Sequence, residues 1–228
     1  MNEETKELIH PLNGKAKKEE QVVNKALKLP LGEDFDNDLT ELLAAEGAEF
    51  GDTIVIALSD VDHFYHINDD FGLDAGDKVL IETGEYFKKN LPDYCKIYRI
   101  GGDEFGFIFK GDFEKEEIFL LLEDIRKRYE VKTPDGVMQT ISIGMATAFD
   151  DANRCQELFR KADSALYRAK SGGRNKVALA KEEKMVPKTS HYTQEQLKRL
   201  TKLSKREGIG EAILLREAID MLFKKYDI

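Results

Sequence analysis

A chain of 228 residues with 41% hydrophobic and 35% charged side chains can bury one full core and a small second unit, which excludes a disordered protein. Its net charge of −9 excludes a general nucleic-acid binder, and no apolar run reaches the length that spans a bilayer. The charge is uneven: residues 184–228 hold ten Lys/Arg against six Asp/Glu, and the preceding 183 residues hold 25 against 38, so an acidic body precedes a mildly basic tail.

The start, Met1-Asn2-Glu3-Glu4-Thr5, is acidic and unlike a secretory signal, and Cys95 and Cys155 are too few for a disulfide framework, so a cytoplasmic location is expected. Lys15 to Leu29, rich in Lys and Glu and closed by Pro30, predicts a helix, so that residues 1–34 read as helix and linker. Thr53-Ile-Val-Ile-Ala-Leu58 is a continuous apolar, β-branched run and predicts a buried strand. Asp77 to Lys89 has helical spacing, Lys96–Ile100 and Phe105–Phe109 read as two antiparallel strands, and Phe113 to Tyr129 as an amphipathic helix. Thr140–Ala148 predicts a strand, Arg154–Ser171 a helix and Lys176–Ala180 a last short strand. Strands alternating with helices around one central hairpin predict an α/β (α+β) sandwich, with helices over a mainly antiparallel sheet.

Lys181 to Pro187 reads as a linker. Beyond it, Thr193-Gln-Glu-Gln196 fits a capping box, and Leu197, Leu200 and Leu203 follow on one helical face. Glu207-Gly-Ile-Gly210 stops that helix, and a second runs to about Lys225 with Leu214, Ala218, Met221 and Leu222 on one side. Helices this short need a partner for their apolar stripes, so the tail reads as a dimerising unit.

Chemistry concentrates at two acidic clusters. Gly101-Gly102-Asp103-Glu104 sits at the tip of the predicted hairpin, where glycines suit a tight turn with positive φ. The strand from Thr53 runs into Ser59-Asp60-Val61-Asp62, whose acids can converge with Asp103 and Glu104. Each cluster alone reads as solvated turn residues. Together, three or four carboxylates repel unless a divalent cation neutralises them, and a Mg²⁺ group of this kind is what phosphoryl or nucleotidyl transfer needs.

Asp60-x-Asp62-x-Phe64-x-x-x-Asn68-Asp69-x-x-Gly72-x-x-x-Gly76-Asp77, then Arg99-x-Gly-Gly-Asp-Glu-Phe105, then Ala162-Asp-Ser-Ala-Leu-Tyr-Arg-Ala-Lys-Ser-Gly-Gly-Arg-Asn-Lys-Val177, resemble the GGDEF-domain diguanylate cyclases over roughly residues 35–180. The resemblance implies a palm-like, ferredoxin-related fold and a homodimer in which two GTP molecules condense to cyclic di-GMP and two pyrophosphates. It implies that Asp60, Asp103, Glu104 and the carbonyl of Val61 hold Mg²⁺ or Mn²⁺, and that Asp103 or Glu104 helps activate the 3′-hydroxyl. Gly101 and Gly102 would let the nucleotide approach the hairpin backbone. Asn68 and Asp77 match the guanine-reading positions; a carboxylate accepts from guanine N1–H and the N2 amine, which favours GTP over ATP. Lys170 and Arg174 match the phosphate-binding basic pair, although four-residue spacing at a helix end also suits an exposed cationic face.

Some positions depart from that pattern. Tyr65 and Leu73 stand where the family has Lys and His, and the opening helix motif survives only as Leu39-Thr40-Glu41-Leu42. The inhibitory Arg-x-x-Asp is replaced by Pro92-Asp-Tyr-Cys95, so product inhibition at that site is not expected. A second reading is therefore a weak or inactive domain that senses GTP or a cyclic dinucleotide. His63 and His66 have the spacing of helical metal ligands, but the acids and Mg²⁺ explain the site without zinc. The tail, Lys188 to Leu197 followed by two helices, resembles a ribbon-helix-helix domain over about residues 188–228. That resemblance implies dimerisation and contact with DNA through Thr189 and His191, with Tyr192 turned to the dimer core.

Overall fold

The computed structural model describes residues 22–46, 52–181, 189–207 and 210–226, and the chain divides into two compact units, Met1–Glu182 and Glu183–Ile228. The predicted helix from Lys15 lies outside the described residues as far as residue 21, as do linker positions 182–188 and Gly208-Ile209. Residues 22–27 are helical, Lys28 leaves the helix at φ 52, and Val23 and Leu27 are buried in the core of the first unit.

The first unit continues with α1 (Gly32–Glu46), β1 (Thr53–Val61), α2 (Phe64–Phe71), α3 (Leu73–Asn90), β2 (Cys95–Arg99), β3 (Glu104–Gly111), α4 (Lys115–Lys127), β4 (Ile141–Thr147), α5 (Cys155–Ser171) and β5 (Val177–Leu179). The strands form one sheet in the order β2-β3-β1-β4-β5, antiparallel throughout except for β4 and β5. The alternation of β1 explains its unbroken apolar run. Val55, Ala57 and Val61 point into one core with Val79 and Phe87 of α3 and Ile118 and Leu122 of α4. Ile54, Ile56 and Leu58 point into the other, with Phe35 and Leu39 of α1 and Leu158 and Leu166 of α5. Helices thus cover both faces, and the sheet is apolar on both.

β1 runs three residues beyond its predicted end, through Ser59, Asp60 and Val61. The ladder continues on both sides, pairing Asp60 with Glu104 and with Ser142, and Val61 with Ile141. Backbone partners on two edges outweigh the low strand preference of aspartate. Close packing of α5 on the sheet requires Gly144, where a Cβ would stand 2.1 Å from the Ala162 carbonyl oxygen and 2.2 Å from the Leu166 nitrogen.

The second unit consists of α6 (Gln194–Glu207) and α7 (Glu211–Tyr226). Its predicted capping box is present: the Gln196 backbone N–H donates to Thr193 Oγ1 at 3.2 Å, and the Thr193 backbone N–H donates to Gln196 Oε1 at 2.9 Å. Thr201 donates to Glu211 Oε1 at 2.6 Å, tying the two helices together. Tyr192, Leu197, Leu200, Leu203 and Leu215 line an apolar groove of about 710 Å³, and Met221 and Leu222 of α7 are exposed.

Candidate active site

The site assembles at the end of the central strand. Asp60 is only 4% exposed, and register places it directly opposite Glu104 on β3. Burial, then the charge of Asp103, pushes the Asp60 carboxyl up to about 7, with Glu104 adding to the rise. The opposing influence is Lys170, from the last turn of α5, whose Nζ lies 2.6 Å from Asp60 Oδ2. The three predicted acids therefore share one electrostatic field, and an ammonium already answers it. Lys170 is thus not merely an exposed cation on a helix end. Val61 buries its side chain in the core, so only its backbone is available to the site.

Oxygen donors alone suit a hard divalent cation such as Mg²⁺ or Mn²⁺. A buried carboxylate repelled by two half-buried ones, with a cation drawn onto it, fits such an ion. Among the described residues, no three His, Cys, Asp or Glu side chains are already gathered as a metal shell. His63 and His66 stand with ring centroids 5.9 Å apart, both exposed, at the start of α2.

The hairpin tip corrects one sequence expectation. Neither Gly101 nor Gly102 has positive φ, so the turn does not use glycine for its backbone freedom. What it uses is space. A Cβ on Gly101 would meet Glu104 Oε2 at 3.1 Å, and one on Gly102 would meet nothing within 4 Å, leaving the backbone there open to an incoming group. The tip is braced by Arg99, which sequence reasoning quoted but gave no role. Buried at 4% exposure, Arg99 donates from Nε to the Gly101 carbonyl at 2.8 Å and from Nη2 to the Gly102 carbonyl, and lies over the Phe105 ring.

The predicted base-reading pair is brought together on α2 and α3. The Asn68 side chain lies over Gly76, where a Cβ would stand 1.9 Å from its Oδ1, one residue from Asp77. Both Asn68 and Asp77 are half-buried. Tyr65, at the position where the resemblance leads one to expect Lys, is 73% exposed, and Leu73 is exposed at the start of α3.

Arg174 lies beyond α5 in a run of left-handed residues: Gly173 at φ 104, Arg174 at φ 58 and Asn175 at φ 47. For residues other than glycine this conformation costs about 1 kcal/mol or more each, so something must hold it. Part of the hold is Asp62, which sequence reasoning placed beside the metal group without assigning it. The chain turns after Val61, and Asp62, 2% exposed, accepts from Thr140 Oγ1 at 2.6 Å, Ser142 Oγ at 2.7 Å and the Asn175 backbone N–H at 3.0 Å. The Asp-x-Asp spacing suggests two equivalent acids, but Asp60 lies in the field of Asp103 and Glu104, whereas Asp62 is engaged by Thr140, Ser142 and the Asn175 N–H.

In the second unit, Thr189 and His191 lie in an exposed segment without regular structure, and Tyr192 lines the apolar groove.

Comparison with known proteins follows these features closely. The family model described as "Diguanylate cyclase, GGDEF domain" matches residues 28–176. The chain belongs to the GGDEF family. A ribbon-helix-helix family model matches residues 185–227. Among curated relatives, the probable diguanylate cyclase DgcT of Escherichia coli is 36% identical over 130 residues, which is 54% of this chain and 28% of that one. An uncharacterised membrane protein of Staphylococcus epidermidis is 30% identical over 150 residues, 63% of this chain and 42% of that one. The GGDEF chain thus spans less than half the length of these relatives. Among its described residues, no helix is long and apolar enough to cross a membrane. The GGDEF domain of YfiN from Pseudomonas aeruginosa superposes with a TM-score of 0.64 at 26% identity, covering 68% of this chain and 92% of that one. The GGDEF domain of DgcB from Caulobacter crescentus, solved in complex with c-di-GMP, gives a TM-score of 0.60 at 31% identity, covering 67% and 91%.

Proposed function

We propose that the chain is a diguanylate cyclase that condenses two GTP molecules into cyclic di-GMP and releases two pyrophosphates. The observation that carries this is the burial of Asp60 opposite Glu104, within the field of Asp103 and against Lys170, at the mouth of a hairpin whose glycines leave space. Asp60, Asp103, Glu104 and the Val61 carbonyl would hold the divalent cation. When bound, that ion supplies Lewis acidity to the triphosphate and to the attacking hydroxyl.

The remaining steps belong to the chain's own residues. Asn68 and Asp77 accept from and donate to the guanine edge. Lys170 and Arg174 neutralise the β- and γ-phosphates. The 3′-oxygen of one GTP forms a bond to the α-phosphorus of the other, the bond from that phosphorus to the β-phosphate oxygen breaks, and the hydroxyl proton passes toward Asp103 or Glu104. Repetition with the roles exchanged closes the ring. Two half-sites must face each other, and the second unit, acting as a dimerising module, raises their effective concentration. Offering GTP, ATP and the two together, with pyrophosphate release as the readout, tests this: release is expected with GTP and absent with ATP alone.

The exposed Tyr65 favours a second reading, a domain that binds guanine nucleotide without turnover and regulates a DNA-binding tail through Thr189 and His191. Nucleotide binding without pyrophosphate release, together with a salt-sensitive DNA mobility shift lost on removing residues 184–228, is its expected signature.

A further inference from the structure

We propose that Asp62 is a positioning residue for the triphosphate subsite, acting through the backbone of the turn that carries Arg174; this rests on the cyclase reading above. Three observations lead there. First, Asp62 is already engaged away from the metal group: its two oxygens accept from Thr140, Ser142 and the Asn175 backbone N–H. Second, the turn it holds is conformationally costly, with Arg174 and Asn175 both left-handed in succession. Third, the far end of that turn is tied down by a chain of charged groups that no part of the reaction uses. Arg126 donates from Nη1 to Asn175 Oδ1 at 2.8 Å and from Nη2 to Glu123 Oε2 at 2.7 Å, and Glu123 Oε1 accepts the Val177 backbone N–H at 3.1 Å.

The near end of the turn is held by α5 itself, through the Arg174 N–H to the Ala169 carbonyl at 2.9 Å. The side chain of Arg174 therefore leaves the backbone between two fixed points, one on the helix and one on Asp62. Release of the second point lets Arg174 and Asn175 relax toward the right-handed region, which redirects the Arg174 Cα–Cβ bond. Asp62 follows Asp60 by two residues, so one short segment at and just beyond the end of β1 sets both the acidic centre and the hold on the cationic turn. A carboxylate is suited to this task because it accepts several hydrogen bonds at once and donates none.

The test is a double-mutant cycle on the full chain, read by the affinity for a fluorescent, non-hydrolysable GTP analogue in Mg²⁺, with thermal denaturation alongside. Asp62→Asn keeps the shape but removes the charge that draws the three donors and leaves one acceptor oxygen in place of two. Asp62→Asn and Arg174→Ala are each expected to weaken binding about tenfold, the scale of one charge-assisted hydrogen bond, and the double variant to bind no more weakly than Arg174→Ala alone. Wild-type affinity in Asp62→Asn, or losses that multiply in the double variant, overturns the assignment. Should Asp62→Asn fail to fold, Thr140→Val combined with Ser142→Ala, which removes the two hydroxyls that aim the Asp62 carboxylate at the Asn175 N–H, takes its place in the same cycle with the same two outcomes. A folded wild type that does not bind the analogue overturns the cyclase reading and this role with it, whereas binding with multiplying losses overturns only the role of Asp62.

Discussion

Asp60 is the residue on which the site turns, and its titration gives a direct check. Its carboxyl is raised from 3.8 to about 7, by burial first and by Asp103 second, so folding binds a proton that the unfolded chain releases. The stability from this group is fully present below about pH 4 and is lost as pH rises through 7. Asp60→Asn is therefore expected to melt at a higher temperature than wild type without metal at pH 8, with the gap narrowing at pH 6. Added Mg²⁺ or Mn²⁺ should raise the wild-type melting temperature at pH 8 and leave that of Asp60→Asn unchanged. An equal gap at both pH values would contradict the burial account. Gly102 offers a complementary case. A Cβ there meets nothing and φ is not positive, so Gly102→Ala should change stability by less than about 0.5 kcal/mol while weakening GTP binding at least tenfold if the hairpin backbone carries the nucleotide. At this scale the sequence was informative about identity and poor about orientation. The pattern singles out Asp60, Asp103, Glu104, Asn68 and Asp77 as candidates, but nothing in Asp60-x-Asp62 signals that Asp62 is taken up by Thr140, Ser142 and the Asn175 N–H. The direct pairing of Lys170 with Asp60 depends on how α5 docks, which no local pattern encodes.

The elements follow from burial more than from local preference. β1 was legible because both of its faces are apolar, and its extension through Ser59 and Asp60 was not, because the added residues are held by ladders on both sides. In sequence, α1 reads only as the remnant of an opening helix motif at Leu39 to Leu42, although Phe35, Leu39 and Leu43 recur at helical spacing and all three are buried. Residues 22–27 read as part of the helix from Lys15 to Leu29 and are helical, but their sequence does not signal that Leu27 is core: it is 1% exposed, and its methyl groups fill the space that a Cβ on Gly84 would take. Leu27→Ala should thus cost about 2–4 kcal/mol in urea denaturation, a loss no linker residue would show. Gly144→Ala places a Cβ against the backbone of α5, which cannot yield as a side chain can, and is expected to cost about 3 kcal/mol or more by the same measurement.

At the scale of the whole molecule, the proposed cyclase reading assigns the two units to two requirements of one reaction. On that reading the first would supply half of a reaction centre, and the second, with its apolar groove and exposed apolar residues on α7, would pair two copies. Full-length protein is expected to sediment as a dimer, and removal of residues 184–228 to yield a monomer whose specific activity falls steeply on dilution. A truncated form that stays dimeric would move the dimerisation role elsewhere. The central claim, that the buried acid at the end of β1 and the acids at the tip of the β2–β3 hairpin carry out guanylate condensation, is tested most directly by product identity. Purified protein incubated with Mg²⁺ and GTP, and analysed by mass, should give cyclic di-GMP with two pyrophosphates per product, and Asp103→Ala under the same conditions should give none. Unchanged GTP with the folded wild type, or equal product from Asp103→Ala, would contradict the account.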